Sequence, residues 1–251
     1  MRHSLAVFLL FTLTACSIFS SPGENDAAKN TPVEQLYAEA KRDSEGNNFD
    51  KAVKAFETLQ SRYPYGRYAQ QAQLEIAYAY YKQKEPESAL AAAERFIKQY
   101  PNNAHVDYAY YLKGLINFNE DLGVLGGLAR QDLSERDPNA AREAFASFKE
   151  LVTRFPDSKY APDSRLRMQY LVNALARYEI HVASYYLRRG AHVAAIGRAR
   201  TVLTDYPQTP ATRDALKIMV QAYDAMGLKD LRDDAQRVLD KNTVTAAATV
   251  N

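Results

Sequence analysis

Covalent chemistry needs particular side chains at particular spacings, and this 251-residue chain offers few such sets. His105, His181 and His192 lie beyond the N-terminal segment. None stands three or four residues from another, so no helix face pairs two of them on a metal. Cys16 is the one cysteine, which excludes an internal disulfide and a cysteine-built zinc site. Gly123-Val-Leu-Gly-Gly127 is glycine-rich, but it lacks the G-K-[ST] end of a phosphate loop and follows no strand. G-x-S-x-G and H-E-x-x-H are absent, and no Ser/His/Asp set is suggested by spacing. No enzymatic activity, metal or cofactor is expected.

What remains is recognition chemistry. Tyr63, Tyr65, Arg67 and Tyr68 surround Pro64, with Tyr37 upstream. Tyrosine gives a broad amphipathic contact and arginine a fork matched to carboxylates. Tyr63 and Tyr37 also suit plain packing. Arg188, Arg189, Arg198 and Arg200 form the densest basic group and are candidates for a partner interface, although helical arginines are usually solvated. Arg198 is the strongest of these, able to meet a partner's carboxylate. Asp132, Glu135, Arg136 and Asp137 suit an ion network that pins a loop. A formal net charge of +2 provides no strongly basic face, so nucleic acid is not an expected partner.

Cys16 has a context of its own. Arg2 and His3 precede the apolar run Leu5 to Leu13, the pattern of a secretory signal and too short to span a bilayer permanently. Leu13-Thr14-Ala15-Cys16 then resembles the lipobox of bacterial lipoproteins. The resemblance implies removal of residues 1–15, thioether lipidation of Cys16 and acylation of the new N-terminus, an anchor of several chains. Ser17 at the next position is the usual companion of sorting to the outer membrane. Residues 16–31, rich in Ser, Asn, Asp, Ala and Gly, read as a flexible lipidated tether.

The elements that must position these residues repeat. Ala52, Ala89, Ala144 and Ala195 each stand twelve residues before a proline: Pro64, Pro101, Pro156 and Pro207. Phe56, Ala93, Phe148 and Ala199 stand eight before; Leu59, Phe96, Leu151 and Val202 five before. Tyr63, Tyr100, Phe155 and Tyr206 precede the prolines directly. Four copies at one spacing define a helical repeat. The expected helices begin with Val33 to Glu45 and Phe49 to Tyr63, then Tyr68 to Lys84 and a partner running from Pro86 to Tyr100. Val106 to Asn119 follows. The next helix ends at Arg154, with Asp137 as N-cap and Pro138 at N1. Ala161 to Arg189 is one long helix or two with a bend, and its partner is Ala191 to Tyr206. Thr212 to Met226 and Leu228 to Lys241 form the last pair. The period lengthens from 37 residues between Pro64 and Pro101 to 55 between Pro101 and Pro156, which places an insertion at 120–137. No stretch alternates long enough for a strand, and the tail 242–251 is expected to be disordered.

Helix pairs with small residues at the crossing and a closing proline resemble tetratricopeptide repeats. Ala40 with Ala52, and Ala77 with Ala89, fall twelve apart as that pattern has them. The fold class expected is all-α, an α-solenoid of about five such pairs. A narrower resemblance covers the whole chain after Cys16. Arg62-Tyr-Pro-Tyr-Gly66, Gln70-Gln71, Ala77-Tyr-Ala-Tyr-Tyr-Lys82, Ser134-Glu-Arg-Asp-Pro138 and Tyr178-Glu179 through Tyr185-Tyr186 to Arg189-Gly190 resemble the BamD family. These are the tetratricopeptide lipoproteins of the outer-membrane β-barrel assembly machinery. The resemblance implies a scaffold that is lipid-anchored in the outer membrane and faces the periplasm. The repeats of 32–119 would receive unfolded outer-membrane β-barrel substrates. Those of 120–241 would hold the barrel protein BamA and small accessory lipoproteins. The competing expectation is another tetratricopeptide lipoprotein, such as a pilotin-like secretin-assembly factor or a cell-envelope coordinator. A pilotin is expected to lack the 120–137 insertion.

Overall fold

A computed structural model describes residues 31–122 and 138–248. The expectations for Cys16, the 16–31 tether apart from Thr31, the 123–127 glycines and Asp132, Glu135, Arg136 and Asp137 lie outside the described residues. Among those described, ten helices and no strand occur. In chain order they are α1 (Val33–Glu45), α2 (Phe49–Arg62), α3 (Arg67–Gln83), α4 (Pro86–Gln99) and α5 (Val106–Leu122). Then come α6 (Asn139–Arg154), α7 (Ala161–Arg188), α8 (His192–Asp205), α9 (Ala211–Ala225) and α10 (Lys229–Ala248). The chain divides into two compact units, the first ending at Ala72 and the second starting at Gln73, within α3.

The four copies close in the same way. Tyr63, Tyr100, Phe155 and Tyr206 are the C-caps of α2, α4, α6 and α8, with φ of -127°, -131°, -130° and -128°. Each donates its backbone N–H to the carbonyl four residues back, on Leu59, Phe96, Leu151 or Val202. The extended φ follows from the proline that comes next, whose ring clashes with a helical predecessor.

In the first unit α1 packs on α2. Ala40 and Ala52 are fully buried together with Phe56 and Leu59. Between these helices Asn47, at φ 59°, takes the left-handed turn that asparagine tolerates.

The second unit stacks helices in chain order, the packing of an α-solenoid. Each of α4 to α10 packs on the next, and α7 also reaches α9. The repeat positions reappear as three apolar clusters. Phe96, Leu151 and Ala161 lie in one, Ala144, Phe148 and Leu171 in the second, Ala195, Ala199 and Val202 in the third. At the α5–α6 crossing Gly114 lies against Phe148. A Cβ there would stand 2.4 Å from the ring's Cε1.

Some boundaries differ from expectation. The helix starting at Ala161 runs undivided to Arg188, 28 residues and about 42 Å at 1.5 Å per residue. Pro138 occupies the N-cap itself, so α6 starts one residue later than expected, at Asn139. α5 continues to Leu122, past Asn119, and α10 continues to Ala248, past Lys241. Neither extension contains Gly or Pro, and the Ala246-Ala247-Ala248 run has the highest helix propensity.

Candidate functional sites

The aromatic turn after α2 separates into packing and presenting residues. The Tyr37 ring lies 5.7 Å from that of Phe56 and 5.4 Å from that of Tyr68. Tyr63 donates its hydroxyl to the Thr31 carbonyl at 3.0 Å and so ties the incoming chain to the end of α2. Arg67 lies with its guanidinium 4.6 Å from the Tyr68 ring centre, and its Nη2 donates to the Tyr68 hydroxyl at 2.8 Å. Tyr65 is 90% exposed, on the turn where Gly66 takes φ 95°. The structure thus joins Tyr37, Tyr68 and Arg67. Tyr63 points its hydroxyl elsewhere, and Tyr65 stands in solvent.

The four arginines also separate. Glu179 of α7 has a side chain only 3% exposed, and its Oε2 accepts from Arg198 Nη1 at 3.0 Å. Arg142 of α6 stands 3.8 Å from its other oxygen. The Glu179 hydrogen bond holds the Arg198 guanidinium above its ordinary range against the opposing effect of burial. Arg198, expected to meet a partner's carboxylate, therefore already holds one of its own chain's. Arg188, Arg189 and Arg200 are exposed. Arg189 lies over the Tyr185 ring at 5.4 Å.

A third group was not anticipated from sequence. The Tyr111 and Tyr160 rings stack at 4.7 Å, and Tyr108 lies 5.4 Å from Tyr160. The Tyr111 hydroxyl donates to Asp163 Oδ2 at 2.7 Å, and Arg167 Nε donates to the same oxygen at 2.6 Å. Burial and the Asp163 carboxylate push the Tyr111 hydroxyl up to about 12. Burial would raise the Asp163 carboxyl too, but the hydrogen bonds from Arg167 and Tyr111 outweigh it and hold it low. A carboxyl lowered in the folded state gives stability that is present above its unfolded value and lost as pH falls through the folded one. Asp163→Asn is therefore expected to show a shallower fall in Tm than the parent between about pH 5 and pH 3. Thermal melts at several pH values check this.

Among the described residues no group of three His, Cys, Asp or Glu could hold a metal ion. No helix there is long and apolar enough to cross a membrane.

Helix pairs crossing on small residues, with aromatic and guanidinium groups presented at turns and helix ends, define a tetratricopeptide-type binding scaffold. The chain belongs to the YfiO family of outer membrane lipoproteins, whose model it matches over residues 29–238. It is 46% identical to a protein of Neisseria meningitidis serogroup A named outer membrane protein assembly factor BamD. That match covers 95% of this chain and 90% of the relative. It is 40% identical to the protein of that name in Xylella fastidiosa strain Temecula1, over 96% and 82% of the two chains. For the one in Vibrio cholerae the identity is 39%, over 95% of each.

Proposed function

We propose that this chain is an outer-membrane-anchored, periplasm-facing scaffold for the assembly of β-barrel outer-membrane proteins. It holds the barrel protein BamA and accessory lipoproteins through its C-terminal pairs and receives unfolded barrel substrates at its N-terminal ones. The observation that carries this is the likeness, along 95% of the chain, to proteins named as outer membrane protein assembly factors. The exposed aromatic turn fits the substrate side. Tyr65 offers a free ring, and Arg67, bonded to Tyr68 by one nitrogen, keeps further donors for a terminal carboxylate. On the partner side, Arg188, Arg189 and Arg200 are exposed cations at the end of α7 and on α8.

Affinity purification of the tagged chain from membranes, read by mass spectrometry, tests the proposal. Recovery of a β-barrel protein with periplasmic repeats supports it; recovery of a secretin in its place would sink it. Anchoring has a separate test. Cys16→Ala is expected to release a folded, helical protein from the outer-membrane fraction on cell fractionation. Retention of that variant in the membrane without its partners would remove Cys16 as the anchor.

A further inference from the structure

Exposed apolar side chains gather at one place in the second unit. Of the nine large ones exposed among the described residues, four lie close together in sequence: Met226, Leu228, Leu231 and Val238. Leu231 and Val238 belong to α10 and are 45% and 47% exposed. Two helical turns separate them, so they stand in line on one face. That face is not the one packed on α9. Ala235 is the buried residue of α10, with Arg232, Gln236 and Leu239 half-buried around it at helical spacing. Where a solenoid helix has a neighbour on one side only, its outer face is ordinarily polar. Among the described residues α10 packs on α9, yet its outer face carries this apolar line.

The charges beside the line are ordered. Asp230, Asp234, Arg237 and Lys241 follow one another at intervals of four, three and four residues, and so form a second stripe next to the first. All four are exposed. The N-terminal half of this stripe is acidic and the C-terminal half basic. Reversing its direction reproduces the same spacing with every sign inverted. Within the chain Arg237 reaches Asp234 across one turn, an exposed pair of little consequence for stability. Elsewhere on α10, Arg232 holds Asp224 and Asp233, and Asp240 accepts from Gln236.

We propose that this face of α10 docks on the same face of a second copy of this chain, the two helices antiparallel about a two-fold axis. Asp230 then faces Lys241 of the second copy, and Asp234 faces its Arg237. Both contacts occur twice. Leu231 and Val238 come within one turn of each other across the axis. A two-fold contact sets one patch against itself, so only a self-complementary patch serves. The antiparallel arrangement lays the apolar line on the apolar line and opposite charges together. A parallel pairing fails on both counts: it sets acid beside acid and the apolar line against the charged one. A different protein would have to reproduce this order of signs, whereas a second copy carries it already. One helix pair buries less than the roughly 1,000 Å² of a lasting complex, so the contact forms and releases with the density of the chain. It does not depend on which other proteins the chain holds.

The test uses the full chain in its own membranes, co-expressed with two different tags. Leu231→Cys in one copy and Val238→Cys in the other are joined by a short thiol-reactive cross-linker, and the doubly tagged adduct is measured against a pair without the added cysteines. The adduct is expected, in a yield that rises with expression. Asp234→Arg in both copies, or Arg237→Asp in both, is expected to lower the yield about tenfold or more, because like charges then meet twice. Asp234→Arg in one copy opposite Arg237→Asp in the other is expected to restore it, since each changed residue again meets its opposite. That rescue cannot come from within a chain, because each of these copies has lost its own Asp234–Arg237 pair. The inference is overturned if the doubly tagged adduct does not form, or if the cross-linked product is a different protein. It is also overturned if either substitution in both copies leaves the yield unchanged, or if the mixed pair stays as low as either alone.

Discussion

Arg198→Glu is expected to lower stability by about 3 kcal/mol or more, most of it from the group left behind rather than the one removed. Glu179 keeps a side chain only 3% exposed, and Arg198 is its close partner at 3.0 Å; Arg142, at 3.8 Å, is the weaker one. The substitution places a second carboxylate against a buried one. The Arg198 side chain is 42% exposed, so water screens part of the effect and the lower end of the range for broken buried pairs applies. For a chain of this size that corresponds to a Tm lower by roughly 6–12 °C. Arg200→Glu, which changes the same charge two residues on at an exposed site, is expected to stay within about 0.5 kcal/mol of the parent. Equal melts for the two variants would remove the structural role of the Glu179–Arg198 pair. A helical spectrum at 25 °C is no sufficient control for a binding experiment with Arg198→Glu, because such a loss can leave the chain folded yet loosened.

Gly114→Val is expected to cost about 3 kcal/mol, the upper part of the overpacking range. The added Cβ would stand 2.4 Å from Cε1 and 2.5 Å from Cδ1 of Phe148. That ring cannot withdraw. It is fully buried, with the Tyr111 ring 6.1 Å away and the Phe118 ring 6.3 Å away. Gly114→Ala meets the same contact and is expected to lose less, since alanine regains about 1 kcal/mol of helix propensity. The check is a double-mutant cycle with Phe148→Leu, read by denaturant unfolding. Relief of the Gly114→Val cost in the Phe148→Leu background, where no ring meets the added side chain, is expected; strict additivity would show that the clash is absorbed elsewhere. Gly197→Ala in α8, where an added Cβ meets nothing within 4 Å, should by contrast raise stability, although sequence alone presents both positions as a glycine inside a helix.

The sequence made the repeat legible because its signals are local. Alanine at the crossing, the residue five before the proline, and the aromatic whose φ the proline extends all act within one helix and its cap. The four C-caps with φ near -130° are that signal realised. The helix ends at Leu122 and Ala248 were less legible, since composition that resembles a loop or tail also permits helix. The sites were read unevenly. Tyr65 and Arg67 are exposed, whereas Tyr37 packs on Phe56 and Tyr68. Glu179 was missed, although it left a trace. Leu175, Ala176 and Ala183, three or four residues away, make it a lone carboxylate on an apolar helix face, and such a group needs a partner. The Tyr111–Asp163–Arg167 set could not be read, because Tyr111 and Asp163 are 52 positions apart. No local spacing encodes a contact that only the packing of α5 and α7 creates.

The order of packing in the second unit also bears on how the chain comes to be folded. From α4 onward each helix rests on the one that follows it in sequence. Most of its helix–helix contacts join neighbours in sequence, and closing a shorter loop loses less chain entropy. Topologies of this kind fold quickly for their size, and structure can begin at many places and spread to its neighbours. A polypeptide delivered N-terminus first could therefore fold pair by pair behind the point of delivery. No early helix of this unit would wait on the far end of the chain for its partner.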